Sequence, residues 1–146
     1  MFEIMQINPE LTLEIRQKVL RPYQSVNDCI YDTDYKEGSF HVGAFHDGTL
    51  ISVASFCVET NQELPMENQY RLRAMATLEE YRRLGAGRQV VKYAEEILKE
   101  YGTDLLWCMA RTKVQAYYCS LVFVAHGEVF DYPPIGPHII MYKFLK

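Results

Sequence analysis

The four cysteines, Cys29, Cys57, Cys108 and Cys119, form no C-x-x-C pair and show no zinc-type spacing. That excludes a structural zinc site or a thioredoxin-like redox centre, and no metal is expected. The thiols read as reduced, mostly buried side chains of a cytoplasmic protein. No stretch approaches the ~20 apolar residues a membrane helix needs, so no membrane partner is expected. Met1-Phe2-Glu3-Ile4-Met5 lacks a basic head and a long apolar run, and no signal peptide is expected. Both nucleotide fingerprints are missing. There is no G-x-x-x-x-G-K-[ST], and Val90 stands where G-x-G-x-x-G needs its last glycine. Positive charge is scarce as well. A formal net charge of −4 argues against general nucleic-acid binding and leaves room only for a local basic patch on phosphate.

What is present is an ordinary globular balance, 49% apolar and 23% charged, with neither repeat nor linker. The 146 residues predict a single domain over residues 1–146. Phe2 to Ile7 reads as a strand. Asn8-Pro9 then opens a helix carrying Leu11, Ile15 and Val19, which Arg21-Pro22 ends. Gln24 to Gly38 is polar and irregular. Phe40 to Phe45 and Leu50 to Val58 form a hairpin around Asp47-Gly48. Tyr70 to Leu78 is a strand. The periodic face Val90, Val91, Ala94, Ile97, Leu98, Tyr101 marks a helix that Gly102 caps. Leu105 to Ala110 is a strand, Val114 to Leu121 a short helix, and Phe123 to Phe130 and His138 to Leu145 two closing strands. The strand–helix–strand unit in the middle predicts a parallel crossover, and the hairpins predict antiparallel neighbours. An α/β class of the α+β type follows: a mixed sheet flanked by helices.

The segment Arg82-Arg83-Leu84-Gly85-Ala86-Gly87-Arg88 lies between a strand and the amphipathic helix. A helix start offers unpaired N–H groups and a partial positive charge. Glycines there let a phosphate approach closely, and Arg82, Arg83, Arg88 and Lys92 add charge. By residue type alone, the loop is either a tight turn with solvated arginines or a diphosphate site.

Its position carries a resemblance. Arg82-x-x-Gly85-x-Gly87 matches the R/Q-x-x-G-x-G/A signature of GNAT N-acetyltransferases, and Tyr117-Tyr118-x-x-x-Val122-Phe123 resembles their F-Y-x-x-x-G-F segment. Leu72-Arg73-Ala74-Met75-Ala76 and Trp107-Cys108-Met109-Ala110-Arg111 are similar to the fourth and fifth strands of small bacterial members. Ile135-Gly136-Pro137-His138-Ile139, with Met141, resembles their C-terminal strand. The resemblance implies the acyl-CoA N-acyltransferase fold, in which central parallel strands splay apart. It implies acetyl-CoA as co-substrate, its diphosphate on residues 82–88 and its pantetheine arm paired to backbone near Met75, Ala76 and Thr77. Two departures stand out: Val122 where glycine is usual, and Met109 where this branch often has asparagine.

Acetyl transfer to an amine needs a neutral nucleophile. At pH 7 an alkyl amine of pKa ~10.4 is about 3.4 units too protonated, roughly 4.6 kcal/mol. A base is therefore required. The resemblance implies Tyr118 as the acid that protonates the leaving thiolate, and a backbone N–H near Met75 as oxyanion donor; read from spacing alone, Tyr118 is first a core aromatic that shares a helix face with Val114 and Leu121. For the base the residues offer Glu59, Glu128, Asp131, His41 and His138. His138 leads because a free histidine titrates near neutrality. Arg71 and Arg73 cannot accept a proton; they read first as a solvated strand face, and alternatively as contacts for an anionic part of the acceptor. The implied activity is acetyl transfer to a primary amine of a small molecule or peptide in a ternary complex. The alternatives are a non-catalytic acyl-CoA sensor with the same fold, or a nucleotide-binding interaction domain. Net charge slightly favours a cationic acceptor. A homodimer is allowed, although no seam demands one.

Overall fold

A computed structural model describes residues 1–145. The described strands form one seven-stranded mixed sheet in the order β1-β2-β3-β4-β5-β7-β6. Their ranges are β1 Glu3–Ile7, β2 Phe40–His46, β3 Thr49–Val58, β4 Gln69–Thr77, β5 Leu105–Arg111, β6 Val124–Tyr132 and β7 Gly136–Phe144. All neighbours are antiparallel except β4 and β5. The expected hairpin closes between β2 and β3. Asp47 (φ +48°) and Gly48 (φ +81°) are both left-handed, the two-residue turn whose twist suits paired strands.

Helix α2, Ala86–Glu100, fills the crossover between the parallel strands. Its buried face of Val90, Val91, Ala94 and Leu98 packs on Val42, Ile51, Phe56 and Leu106 of the sheet. Truncating Leu98, fully buried, to alanine costs ~2–5 kcal/mol on the usual scale. The C-terminal stop is as the sequence predicts: Gly102 takes φ +78°, and the Thr103 N–H reaches back to the Leu98 carbonyl at 3.0 Å.

The first helix departs from its pattern. In place of one regular helix there is a 3₁₀ turn at Pro9–Thr12, a single α turn (α1, Leu13–Ile15) and a π turn at Arg16–Leu20. The Arg21 N–H bonds the Arg16 carbonyl, five residues back. A π turn inserts one residue into the helical register. Here it lets adjacent residues Ile15 and Arg16 both point inward, while Leu11 is left exposed. The short helix α3, Gln115–Ser120, lies between β5 and β6.

Two irregularities in the central strands make room for a site. β4 and β5 pair at Gln69–Leu105, Tyr70–Leu106 and Arg71–Trp107 and then separate. Beyond that point β4 runs on to Thr77 and β5 to Arg111 without a shared ladder. Against β3, Val53 faces Ala76 and Ser55 faces Arg73, so β4 carries one extra residue. Ala74 sits in this bulge at φ +52°, a conformation that costs a non-glycine residue about 1–2 kcal/mol.

Candidate active site

The splay opens into a cavity of about 860 Å³. On one side lies the start of α2, on the other the irregular segment from Val19 to Tyr31. Thirteen candidate site residues named from the sequence line it: Arg71, Arg73, Met75, Ala76, Thr77, Arg82, Arg83, Gly85, Ala86, Gly87, Arg88, Tyr118 and His138. Leu84 does not; its side chain is exposed.

The two glycines of the loop serve different purposes. Gly85 caps α2 at φ +87°, and the space beyond its missing Cβ is open. No side chain caps the helix, so the first-turn N–H groups remain available to an anion. A Cβ on Gly87 would collide with the Tyr117 hydroxyl and the Met75 methyl. Gly87 therefore lets Tyr117 and β4 close on the helix start, a packing role its place in the motif did not reveal. Arg82 donates from Nε to the Thr77 carbonyl at 3.2 Å, and Arg88 to the Ser120 carbonyl at 3.3 Å. Both contacts tie the loop to neighbouring elements while the arginines stay exposed.

Tyr118 reaches the cavity from α3, over Cys108 of β5 and edge-on to Phe123. Burial, followed by the neighbouring Cys108 and Tyr117, pushes its hydroxyl well above the ordinary phenol range. It stays protonated across physiological pH. Val122 does not disrupt the turn after α3. It adopts φ +73°, and the Phe123 N–H still returns to the Tyr118 carbonyl at 3.1 Å. Valine takes the conformation that glycine would take freely, at a cost in strain.

His138 is 3% exposed and packs between the rings of Phe130 and Tyr132. Its Nδ1 lies 2.8 Å from the Gly136 carbonyl. A carbonyl only accepts, so Nδ1 carries a hydrogen, and the proton-accepting position on this ring is Nε2. The other candidate bases fall elsewhere. His41 is buried between Ser55 and the Asp34 carbonyl, Glu59 is paired with Arg71 at 3.2 Å, and Glu128 and Asp131 are exposed on β6. None of the four lines the cavity.

On the wall facing away from α2, Arg71 and Arg73 are candidates from the sequence, while Arg21, Arg111 and Tyr31 are not. Arg21, Arg71, Arg73 and Arg111 all line it together with Tyr31, and no aspartate or glutamate among the described residues joins them. Arg71 is partly neutralised by Glu59, and it donates to the Met109 sulfur at 3.3 Å, which gives the unexpected methionine a polar contact. Among the described residues the hydrogen-bond partners of the other three are neutral: Arg73 has the Thr33 hydroxyl, Arg111 the Leu20 carbonyl, and Arg21 the Tyr31 and Tyr23 hydroxyls. Arg21 marks the proline-broken end of the first helical pattern and Tyr31 lies in the irregular stretch after it, so neither carries a site signal in the sequence.

The chain matches the Acetyltransferase (GNAT) family over residues 5–121. It belongs to that family. An uncharacterised N-acetyltransferase of Bacillus subtilis, YitI, is 50% identical over 146 residues, all of this chain and 98% of its own length. Among solved structures, Escherichia coli ElaA superposes with a TM-score of 0.76 at 18% identity, covering 98% of this chain and 99% of that one. An aminoglycoside 6′-N-acetyltransferase complexed with coenzyme A superposes with a TM-score of 0.72 at 14% identity, covering 99% and 97%. The expected fold, a GNAT mixed sheet with splayed parallel strands, is the one observed. No helix among the described residues is long and apolar enough to cross a membrane, and no group of metal-ligating side chains occurs among them.

Proposed function

We propose that this GNAT protein transfers the acetyl group of acetyl-CoA to a primary amine on a small acceptor that also carries an anionic group. One observation carries the reading. A single cavity runs through the β4–β5 splay and has the uncapped start of α2, Tyr118 and His138 on its walls. The cradle suits coenzyme A on its own geometry. Free N–H groups and exposed arginines meet a diphosphate, and the unpaired edge of β4 from Met75 to Thr77 can take the pantetheine amides as a strand would.

A thioester held in the splay would present its carbonyl to the backbone at the β4 bulge, where an N–H near Met75 would stabilise the developing charge. The neutral amine attacks the carbonyl carbon and gives one proton to His138 Nε2. As the C–N bond forms and the C–S bond breaks, the departing sulfur takes the Tyr118 proton. The imidazolium then releases its proton to solvent, and the phenolate is reprotonated. Both products leave neutral at the reacting atoms.

The acceptor class follows from charge. The chain is acidic overall, which on its own favours a cationic acceptor, but the wall next to His138 is cationic and free of carboxylates. An ammonium-only acceptor such as a polyamine would meet repulsion there, while a carboxylate or phosphate on the acceptor would pair with Arg21, Arg73 and Arg111.

Thiol release, measured over matched pairs such as L-aspartate and L-asparagine or glycine and glycinamide, with spermidine as control, tests both parts. We expect turnover with the acids to exceed that with the amides, and spermidine to be poorest. Tyr118→Phe and His138→Ala should each lower kcat by about 10²-fold with acetyl-CoA affinity retained. Preference for spermidine would overturn the acceptor assignment, and an unchanged kcat in either variant would remove that residue's role.

A further inference from the structure

Arg16 is a charge placed where an apolar side chain would ordinarily stand. Its side chain is fully buried and forms a forked pair with Asp34, both N···O distances being 2.8 Å. It also donates to the Cys29 carbonyl at 2.9 Å and the Ser55 hydroxyl at 2.7 Å, and Ser55 in turn holds His41 at 2.7 Å. Burying such a pair is costly in desolvation, and well-packed apolar residues commonly give equal or better stability. Stability alone is therefore a poor reason for it.

The pair's surroundings supply a better one. Asp34 belongs to the stretch between Leu20 and β2, which has only one short 3₁₀ turn, at Asn27–Cys29, and pairs with no strand. Backbone bonds at Tyr31–Asp34 and Thr33–Lys36 are local. Asp34 on Arg16, with Ser55 behind it, fastens the middle of this stretch to the sheet, helped by His41 on the Asp34 carbonyl at 3.1 Å, while the Tyr70 hydroxyl holds its far end by donating to the Gly38 carbonyl at 2.8 Å. Asp34 also accepts the Tyr31 N–H at 2.9 Å. Tyr31's ring then takes Arg16 at 4.3 Å and Arg73 at 4.2 Å from its centroid, and Thr33 accepts from Arg73 at 3.2 Å. Arg73 is thus aimed by two residues of a segment that has little backbone order of its own.

We propose that Arg16 and Asp34 are positioning residues for the acceptor site, setting Arg73 through Tyr31 and Thr33 so that its guanidinium faces the cavity. The proposal rests on the anionic-acceptor reading. It also explains the charge count: Asp34 cancels Arg16, the buried member, and leaves Arg73 uncompensated at the wall.

The test uses inorganic phosphate as probe, titrated into CoA-saturated protein so that the phosphate loop is already filled, and followed by phosphorus NMR. The variants are Arg73→Ala, the paired replacement Arg16→Met with Asp34→Leu, Thr33→Val, and the paired replacement combined with Arg73→Ala. We expect at least a tenfold weaker phosphate affinity in Arg73→Ala and in the paired replacement, and about threefold in Thr33→Val. CoA affinity should stay within twofold throughout, and the combined variant should be no weaker than Arg73→Ala alone. If Arg73→Ala itself leaves phosphate binding unchanged, the anionic-acceptor reading fails and takes the proposal with it. If Arg73→Ala weakens binding but neither the paired replacement nor Thr33→Val does, only the positioning role is overturned. Should the paired replacement not fold, an unchanged affinity in Thr33→Val refutes the proposal. Losses that simply add in the combined variant also refute it, because they would mean the pair acts by another route.

Discussion

The two walls of the cavity hold positive charge in opposite ways. On the α2 side the arginines are neighbours in sequence, exposed, and backed by helix N–H groups. On the other side Arg21, Arg73 and Arg111 come from separate elements, are half-buried, and lean on aromatic rings, hydroxyls and carbonyls. An exposed charge is screened by solvent and salt, so its individual contribution is small and its partners are replaceable. A half-buried guanidinium acts through a lower dielectric, so each one counts for more and its orientation matters. The first wall is suited to a ligand held mainly by backbone, the second to discrimination among small anions.

The largest expected effect tests that contrast directly. Arg73→Ala and Arg111→Ala should each raise the acceptor KM by roughly 10- to 100-fold, the scale of a charge-assisted hydrogen bond lost from a partly buried site. The acetyl-CoA KM should hardly move. Arg83→Ala should raise the acetyl-CoA KM only about two- to fivefold, with most of that difference gone at high salt. Steady-state kinetics at two ionic strengths with L-aspartate as acceptor measure all three. If Arg83→Ala proves as damaging as Arg73→Ala, the contrast between the walls is wrong.

The same contrast explains what could be read in advance. The α2 wall is local: Arg82 to Arg88 sit in one unbroken stretch between a strand and a periodic helix, so their arrangement follows from secondary structure alone. The hairpin at Asp47-Gly48 and the stop at Gly102 were legible for the same reason, since each is a dihedral requirement met by one residue type. The wall facing away from α2 is assembled by tertiary contacts. Nothing in the spacing of Arg21, Tyr31, Arg73, Arg111 and His138 foretells that they meet. The π turn at Arg16–Leu20 was hidden because Leu11, Ile15 and Val19 give an adequate helical period, and nothing in the spacing marks an inserted residue. The bulge at Ala74 was hidden too, because alanine carries no turn signal.

Acid should weaken the fold through groups beneath the second wall. Burial lowers the His41 pKa below 6.5, with the Asp34 carbonyl opposing that shift. In the unfolded chain the ring takes up its proton from about pH 6.5 downward, before the folded protein can. The unfolded state then binds more protons, so stability falls as pH drops below that value. Asp34 adds a second loss at lower pH. Burial alone would raise its carboxyl, but the Arg16 guanidinium and the Tyr31 N–H hold it below the usual carboxylate range. Its contribution is complete above the unfolded value near ~3.9 and disappears as pH falls through the folded one. Thermal melts between pH 7.5 and 4 should show the midpoint falling steadily, and His41→Gln should flatten the upper part of that fall. A variant that keeps the full slope between pH 6.5 and 5 would remove His41 from the account.

The smallest effect belongs to the α2 side and concerns stability alone. Val122 is 70% exposed, so its side chain buries little, yet it holds φ +73°. A β-branched residue in that region carries about 1–2 kcal/mol of strain. Glycine removes the strain but loses more entropy on folding, roughly 0.5–1 kcal/mol. Val122→Gly should therefore stabilise by about 0.5–1 kcal/mol, a rise of ~2–4 °C in Tm for a chain of this size. The turn returns the Phe123 N–H to the Tyr118 carbonyl, so relief of its strain should leave Tyr118 in place and kcat unchanged. A gain in Tm with a changed kcat would show that the strained turn sets the position of the acid; a loss in Tm would mean that valine is held by contacts its exposure does not suggest.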